Sequence, residues 1–213
     1  MNINTVGKRT LGAKIEHNNK SALWAAVGPI FFALAYTILG FIRPGYSLVS
    51  EPISGLGVGD YAIFMNASFV LMGLMIFIGI IGVFRSITGL IPVARRSCFI
   101  LLQLSPIGAV LCGFFTYEHF LFHTLGFFLA CGMPVICYPI VGFILRCVPR
   151  YRRFAAWLIA GGPVTLILFI WFMATFDYLN TDTGTAGLIE RILIVEVQAF
   201  YVALGWLAYS RKL

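Results

Sequence analysis

Six times along the chain an apolar run of about twenty residues recurs with few charges in it: roughly 22–42, 62–84, 97–116, 121–145, 154–176 and 188–209. A helix needs about 20 such residues to cross the roughly 30 Å hydrocarbon core of a bilayer. Lipid offers no partner for a backbone N–H or C=O, so only helices and closed barrels can span it. Barrel strands are about 10 residues long and alternate apolar with polar, whereas these runs are longer and apolar throughout. The expectation is therefore an all-α, polytopic membrane bundle of six transmembrane helices, with a basic leader over 1–21 and one helical domain over 22–213. Only 11% of the residues are charged, against about 25% in soluble domains, so little is left for a soluble module. No small-x-small cleavage site follows the first run before Arg43, and it reads as an uncleaved first span.

Orientation follows from Lys and Arg, which gather in the cytoplasmic connections of membrane proteins. Thirteen of the fifteen basic residues fall on one side: Lys8, Arg9, Lys14 and Lys20, then Arg85, Arg95 and Arg96, then Arg146, Arg150, Arg152 and Arg153, then Arg211 and Lys212. Only Arg43 and Arg191 fall on the other. Both termini are expected in the cytoplasm, and a bacterial or archaeal cytoplasmic membrane is the expected location. The net charge of +7 then reflects this bias and attraction to anionic headgroups. Membrane lipids are the expected partners, and nucleic acid is not. The five cysteines show no paired spacing and read as free, buried, small apolar residues.

Small residues mark where helices approach closely. Gly108 with Cys112, Ala109 with Gly113, and Gly79 with Gly82 form stripes of the kind that let membrane helices pack, and packing within the bundle accounts for them without fixing an oligomeric state. Gly28-Pro29, Ser105-Pro106 and Gly161-Gly162-Pro163 read as helix kinks. The connections are short except the first outer one, RPGYSLVSEPISGLGVGDY over 43–61. Its Pro-Gly turn and three further glycines predict a loop folded tightly against the outer mouth of the bundle, as a plug or part of a binding site.

Several residues also carry a resemblance: Gly28-Pro29, Arg43-Pro44-Gly45-Tyr46, Ile53-Ser54-Gly55-Leu56-Gly57, then Asn66, Phe69 and Gly73, and Arg191 at the start of the last span. The chain resembles the domain of unknown function family 998 of six-span membrane proteins, most closely over residues 28–73. What the resemblance implies is a fold, and no activity comes with it.

Two constellations could carry chemistry. In EHFLFH (118–123), His119 and His123 would lie about 40° apart on a helix, as in zinc-binding helices, while Glu118 would point about 140° from His123. A metal would need a third ligand from Asp177 or Glu190; no cofactor is predicted, and a divalent metal at His119 and His123 is the weaker option beside interfacial hydrogen bonding. In the last span, Glu190, Arg191, Glu196 and Gln198 are polar or ionisable groups within an apolar helix, which is costly unless they face a bundle interior or wet cavity. Arg191 and Gln198 share a face with Glu190 beside it, and Glu196 points about 120° from Glu190.

Glu196, Glu190 and His123 are accordingly the candidate acids and bases, and Arg43, Tyr46, Asn66, Asp177, Arg191 and Gln198 the candidate binding set. Three function classes remain open. One is a protein binding or acting on a lipid-like or isoprenoid-type small molecule in a cavity open to the outer leaflet. Another is a non-catalytic membrane scaffold or partner subunit. The third is a metal-dependent hydrolase or small transporter, the latter needing a polar route that the inner halves of the helices do not supply.

Overall fold

All regular structure among the described residues of the computed structural model, 20–177 and 183–210, is helical. The leader residues Lys8, Arg9 and Lys14, the loop residue Asp182, and the tail pair Arg211 and Lys212 lie outside the described residues. The helices are α1 (Trp24–Ile42), α2 (Ala62–Ser86), α3 (Pro92–Phe114), α4 (Phe120–Phe127), α5 (Pro134–Leu145), α6 (Arg152–Thr175) and α7 (Ala186–Tyr209). α4 and α5 are joined by a π-helical turn, Phe128–Gly132, and together make the fourth span, Phe120–Leu145. Six helices are thus long and apolar enough to cross a membrane.

The helices pack in chain order. α1 lies on α2, α2 on α3, α3 on the fourth span, α5 on α6 and α6 on α7, and α7 returns to α1 to close the ring. One end of the ring carries the 43–61 loop; the other carries Arg85, Arg95, Arg96, Arg146, Arg150, Arg152 and Arg153. We call these the loop end and the basic end. Trp24, Trp157 and Trp206 stand exposed near the basic end, where amphipathic indoles suit a membrane interface. Lipid itself gives helices no hydrophobic reason to associate, so close backbone contact through small residues holds such bundles together. Gly79 lies against Ala25 of α1, Gly108 against Gly126 and Ala130 of the fourth span, and Gly113 against Asn66 and Val70 of α2. The small-residue stripes are thus spent inside the bundle.

Each expected span is found, and the largest boundary difference is at α3, which starts at Pro92, before the expected 97. Arg95 and Arg96 therefore sit in its first turns and not in the connection. Proline suits that position because its fixed φ is helical and its missing N–H would be unpaired there anyway. Arg95 then donates back to the Phe84 carbonyl near the end of α2.

Prolines inside the helices leave carbonyls without their usual donors, because residue i lacks the N–H that would bond residue i−4. Two of these carbonyls are met by side chains from neighbouring helices. Pro106 frees Leu102, whose oxygen accepts the Tyr201 hydroxyl of α7 at 3.0 Å. Pro134 frees Ala130, whose oxygen accepts the Ser105 hydroxyl of α3 at 2.7 Å. Just before Pro134 the Met133 N–H reaches back five residues to Phe128, at 2.8 Å, which widens the turn. Such π turns often mark functional sites, and this one borders a cavity inside the loop-end half of the ring.

Candidate functional site

The loop between α1 and α2 is latched down by polar side chains. Arg191, one turn into α7, donates from Nη1 to the carbonyls of Glu51 at 3.0 Å and Gly187 at 2.8 Å, and from Nη2 to the Tyr46 hydroxyl at 2.8 Å. Its guanidinium lies 5.8 Å from the Tyr36 ring centroid and 5.7 Å from that of Tyr46. Burial pushes the Tyr46 hydroxyl up to about 12, with the neighbouring Arg191 charge pulling the other way. It therefore stays protonated, donating to the Pro52 carbonyl at 2.8 Å while accepting from Arg191.

Glu190 takes the Ile53 N–H on Oε2 at 2.5 Å, and Gly187 N–H and Leu188 N–H at the start of α7 reach the carbonyls of Ser50 and Val49. The first turn of a helix has unsatisfied N–H groups; here the loop supplies their acceptors. Gly187 is required for the approach, since a Cβ there would meet the Glu51 carbonyl. On the far side Arg43 donates to the Gly55 carbonyl at 2.5 Å and Asn66 to that of Gly57 at 2.9 Å. The loop is a lid.

Beneath it lies a cavity of about 40 Å³, room for about three water molecules. Its walls are mostly apolar, with Phe32, Phe69, Met72, Phe127 and Ile194 among them. The polar groups that line it are Ser54 of the lid, Ser105, His123, Glu190, Gln198 and Tyr201. Nearly all the lining is buried; only Ser54, His123, Phe127 and Ala130 are part-exposed. The last three follow one another at helical spacing along the fourth span. The lining residues that reach the surface thus lie, Ser54 apart, along that span, where Phe127 packs on Phe169 and Phe172 of α6 at ring separations of 5.8 and 5.2 Å.

The candidate residues divide into three groups. Glu190, His123 and Gln198 come together at the cavity. Arg43, Tyr46, Asn66 and Arg191 hold the lid, their polar groups turned to loop atoms. Glu196 and Asp177 lie apart from the cavity lining: the Thr165 hydroxyl of α6 donates to Glu196 Oε2 at 2.9 Å, and Asp177 is exposed beyond the end of α6.

The two histidines also separate. α4 begins at Phe120, so His119 precedes it and is exposed, while His123 is half-buried. Among the described residues no group of three or more His, Cys, Asp or Glu is placed to hold a metal ion. Sequence reasoning passed over Ser105, Cys112, Cys131 and Tyr201, all of which line the cavity. For Ser105 a signal existed, the adjoining Pro106, and Cys112 was marked only as a packing residue by its spacing from Gly108; for Cys131 and Tyr201 nothing in local spacing marked them.

A family model described as "Protein of unknown function (DUF998)" matches residues 26–207, which covers the four inner spans whole and most of the first and last. No curated protein and no solved structure matches the chain.

Proposed function

The chain belongs to the DUF998 family of proteins of unknown function, and from that premise we propose that this multi-pass membrane protein receives the polar end of a lipid-like amphiphile in the cavity beneath its 43–61 lid. The observation that carries this reading is where the cavity lining reaches the surface. Polar groups deep in a membrane bundle are costly and belong to sites by default, and here they line a cavity whose part-exposed lining, the lid residue Ser54 apart, lies along one membrane-spanning segment. A ligand with a small polar end and an apolar chain fits both facts: the end enters the cavity and the chain lies along the fourth span among the exposed Phe120, Leu121 and Phe128. The basic-residue bias puts the lid on the outer side, so the amphiphile comes from the outer leaflet. Glu190 and His123 are the groups able to move a proton at the bound end.

The cysteines test this directly. Cys112 and Cys131 line the cavity, whereas Cys98 and Cys137 are equally buried elsewhere. An apolar organomercurial partitioned into nanodiscs should label Cys112 and Cys131 well before Cys98 and Cys137. Equal labelling of all four, or none at the cavity pair, would remove the proposal.

A further inference from the structure

We infer that the amphiphile's polar end is a hydrogen-bond donor, a hydroxyl or an amine, and not a phosphate or carboxylate. The inference rests on the proposed site and comes from the direction of each hydrogen bond around it. A carbonyl or thioether can only accept, so a side chain bonded to one must be donating. His123 Nδ1 lies 2.7 Å from the Phe115 carbonyl, so Nδ1 carries the proton and Nε2 keeps a lone pair. Gln198 meets the Met72 sulfur at 3.0 Å and must do so with its amino group, leaving Oε1 and one amide N–H. Ser105 and Tyr201 spend their protons on the Ala130 and Leu102 carbonyls, so only their lone pairs remain.

Glu190 takes the Ile53 N–H on Oε2, and its Oε1 has no partner among the described residues. Every polar side chain of the inner wall therefore offers acceptors, and among the described lining residues the donors left over are few: the second Gln198 amide N–H and the hydroxyl of Ser54 on the lid. The two cations of the loop end are elsewhere: neither Arg43 nor Arg191 lines the cavity. An anionic end would be buried mostly against lone pairs with no counter-charge, which is costly in a low-dielectric interior. A hydroxyl or amine supplies the missing protons, and the small volume admits little more than such a group and its first carbons.

The test uses the full chain in phosphatidylcholine nanodiscs and four single-chain probes of one length, ending in alcohol, amine, carboxylate and phosphate. Each is scored by the rise in melting temperature and by protection of Cys112 from the organomercurial. The alcohol and amine should protect and stabilise, and the carboxylate and phosphate should do neither. Glu190→Gln should weaken the amine by about tenfold, the loss of a charge-assisted hydrogen bond, and the alcohol by less. Gln198→Leu keeps the question answerable if the first variant does not fold; it should weaken both donors. Protection by carboxylate or phosphate as good as that by the donors overturns this inference and leaves the amphiphile reading standing. If the reagent reaches Cys112 and no probe of the four protects it, the amphiphile reading itself falls.

Discussion

At the loop end and at the basic end of this bundle the same side chain, arginine, does opposite things. Arg191 is turned inward, its guanidinium nitrogens Nη1 and Nη2 both bonded to loop and helix atoms and its plane set near two tyrosine rings. Arg85, Arg96, Arg146, Arg152 and Arg153 are exposed at the opposite rim. Where basic-end arginines do bond the protein, Arg95 and Arg150 close off carbonyls of Phe84 and Leu207 near the ends of α2 and α7. The difference is one of solvation. A guanidinium removed from water is kept there by the bonds it makes, here through Nη1 and Nη2 while the buried Nε has no partner among the described residues, which makes it part of the architecture; one left at a headgroup interface acts as charge.

The largest effect should come from cutting the inward arginine. Arg191→Met removes the donor to the Glu51 carbonyl and to the Tyr46 oxygen and should cost on the order of 3 kcal/mol, read as a lowered melting temperature with new protease cleavage within 43–61. Arg191→Lys should recover little, since one ammonium cannot reproduce the fork or the stacking. If Arg191→Met melts like the native chain, the loop is not latched as described.

Next comes Gly187→Ala. Its Cβ would meet the Glu51 carbonyl carbon and oxygen, and backbone cannot move aside as cheaply as a side chain, so a loss of about 2 kcal/mol is expected. The loop should become protease-sensitive here too, with Arg191 intact. A stable Gly187→Ala chain with a protected loop would show that the lid has slack.

Tyr201→Phe probes the proline-freed carbonyl and should cost about 1 kcal/mol. The sharper measurement is its coupling to Pro106→Ala: restoring an N–H at residue 106 gives the Leu102 oxygen a helical donor, so the Tyr201→Phe cost should shrink in that background. Additive costs would mean that the hydroxyl is not replacing the missing helical bond.

How much of this was legible in the sequence depends on the range over which each residue is satisfied. The spans were, because lipid forces every crossing to be long and apolar over its whole length. The wheel separation of Glu190 from Glu196 was, and the two do face different partners, Ile53 of the lid and Thr165 of α6. Arg191 was recognisable as significant because ionisable groups inside a span are costly, but its acceptors lie 140 residues away at Glu51, and no local pattern encodes that pairing. The His119 and His123 geometry assumed a helix through both, whereas α4 starts at Phe120. The π turn at Phe128–Gly132 was not legible: the fourth span reads as one apolar run, and the Ser105 hydroxyl that meets the Ala130 carbonyl comes from α3, beyond the reach of local pattern.

The smallest effect on stability, and the one that completes the contrast, belongs to the basic end. Arg85, Arg95 and Arg96 line an open groove of about 420 Å³ between α2 and α3, with Phe99 and Leu90 in its wall. Arg85 is exposed there, so Arg85→Gln should change stability by no more than about 0.5 kcal/mol. It should nonetheless reduce the enrichment of anionic over zwitterionic lipid around the protein, because each surface arginine is worth about 1 kcal/mol toward an anionic leaflet. Native mass spectrometry of chains released from mixed-lipid nanodiscs reads both lipids at once. Arg43→Gln supplies the opposite case: it removes the bond to the Gly55 carbonyl, so it should loosen the lid and leave the anionic-lipid count unchanged. If instead Arg43→Gln depletes anionic lipid while Arg85→Gln destabilises the fold, the division between architectural and surface arginines is wrong.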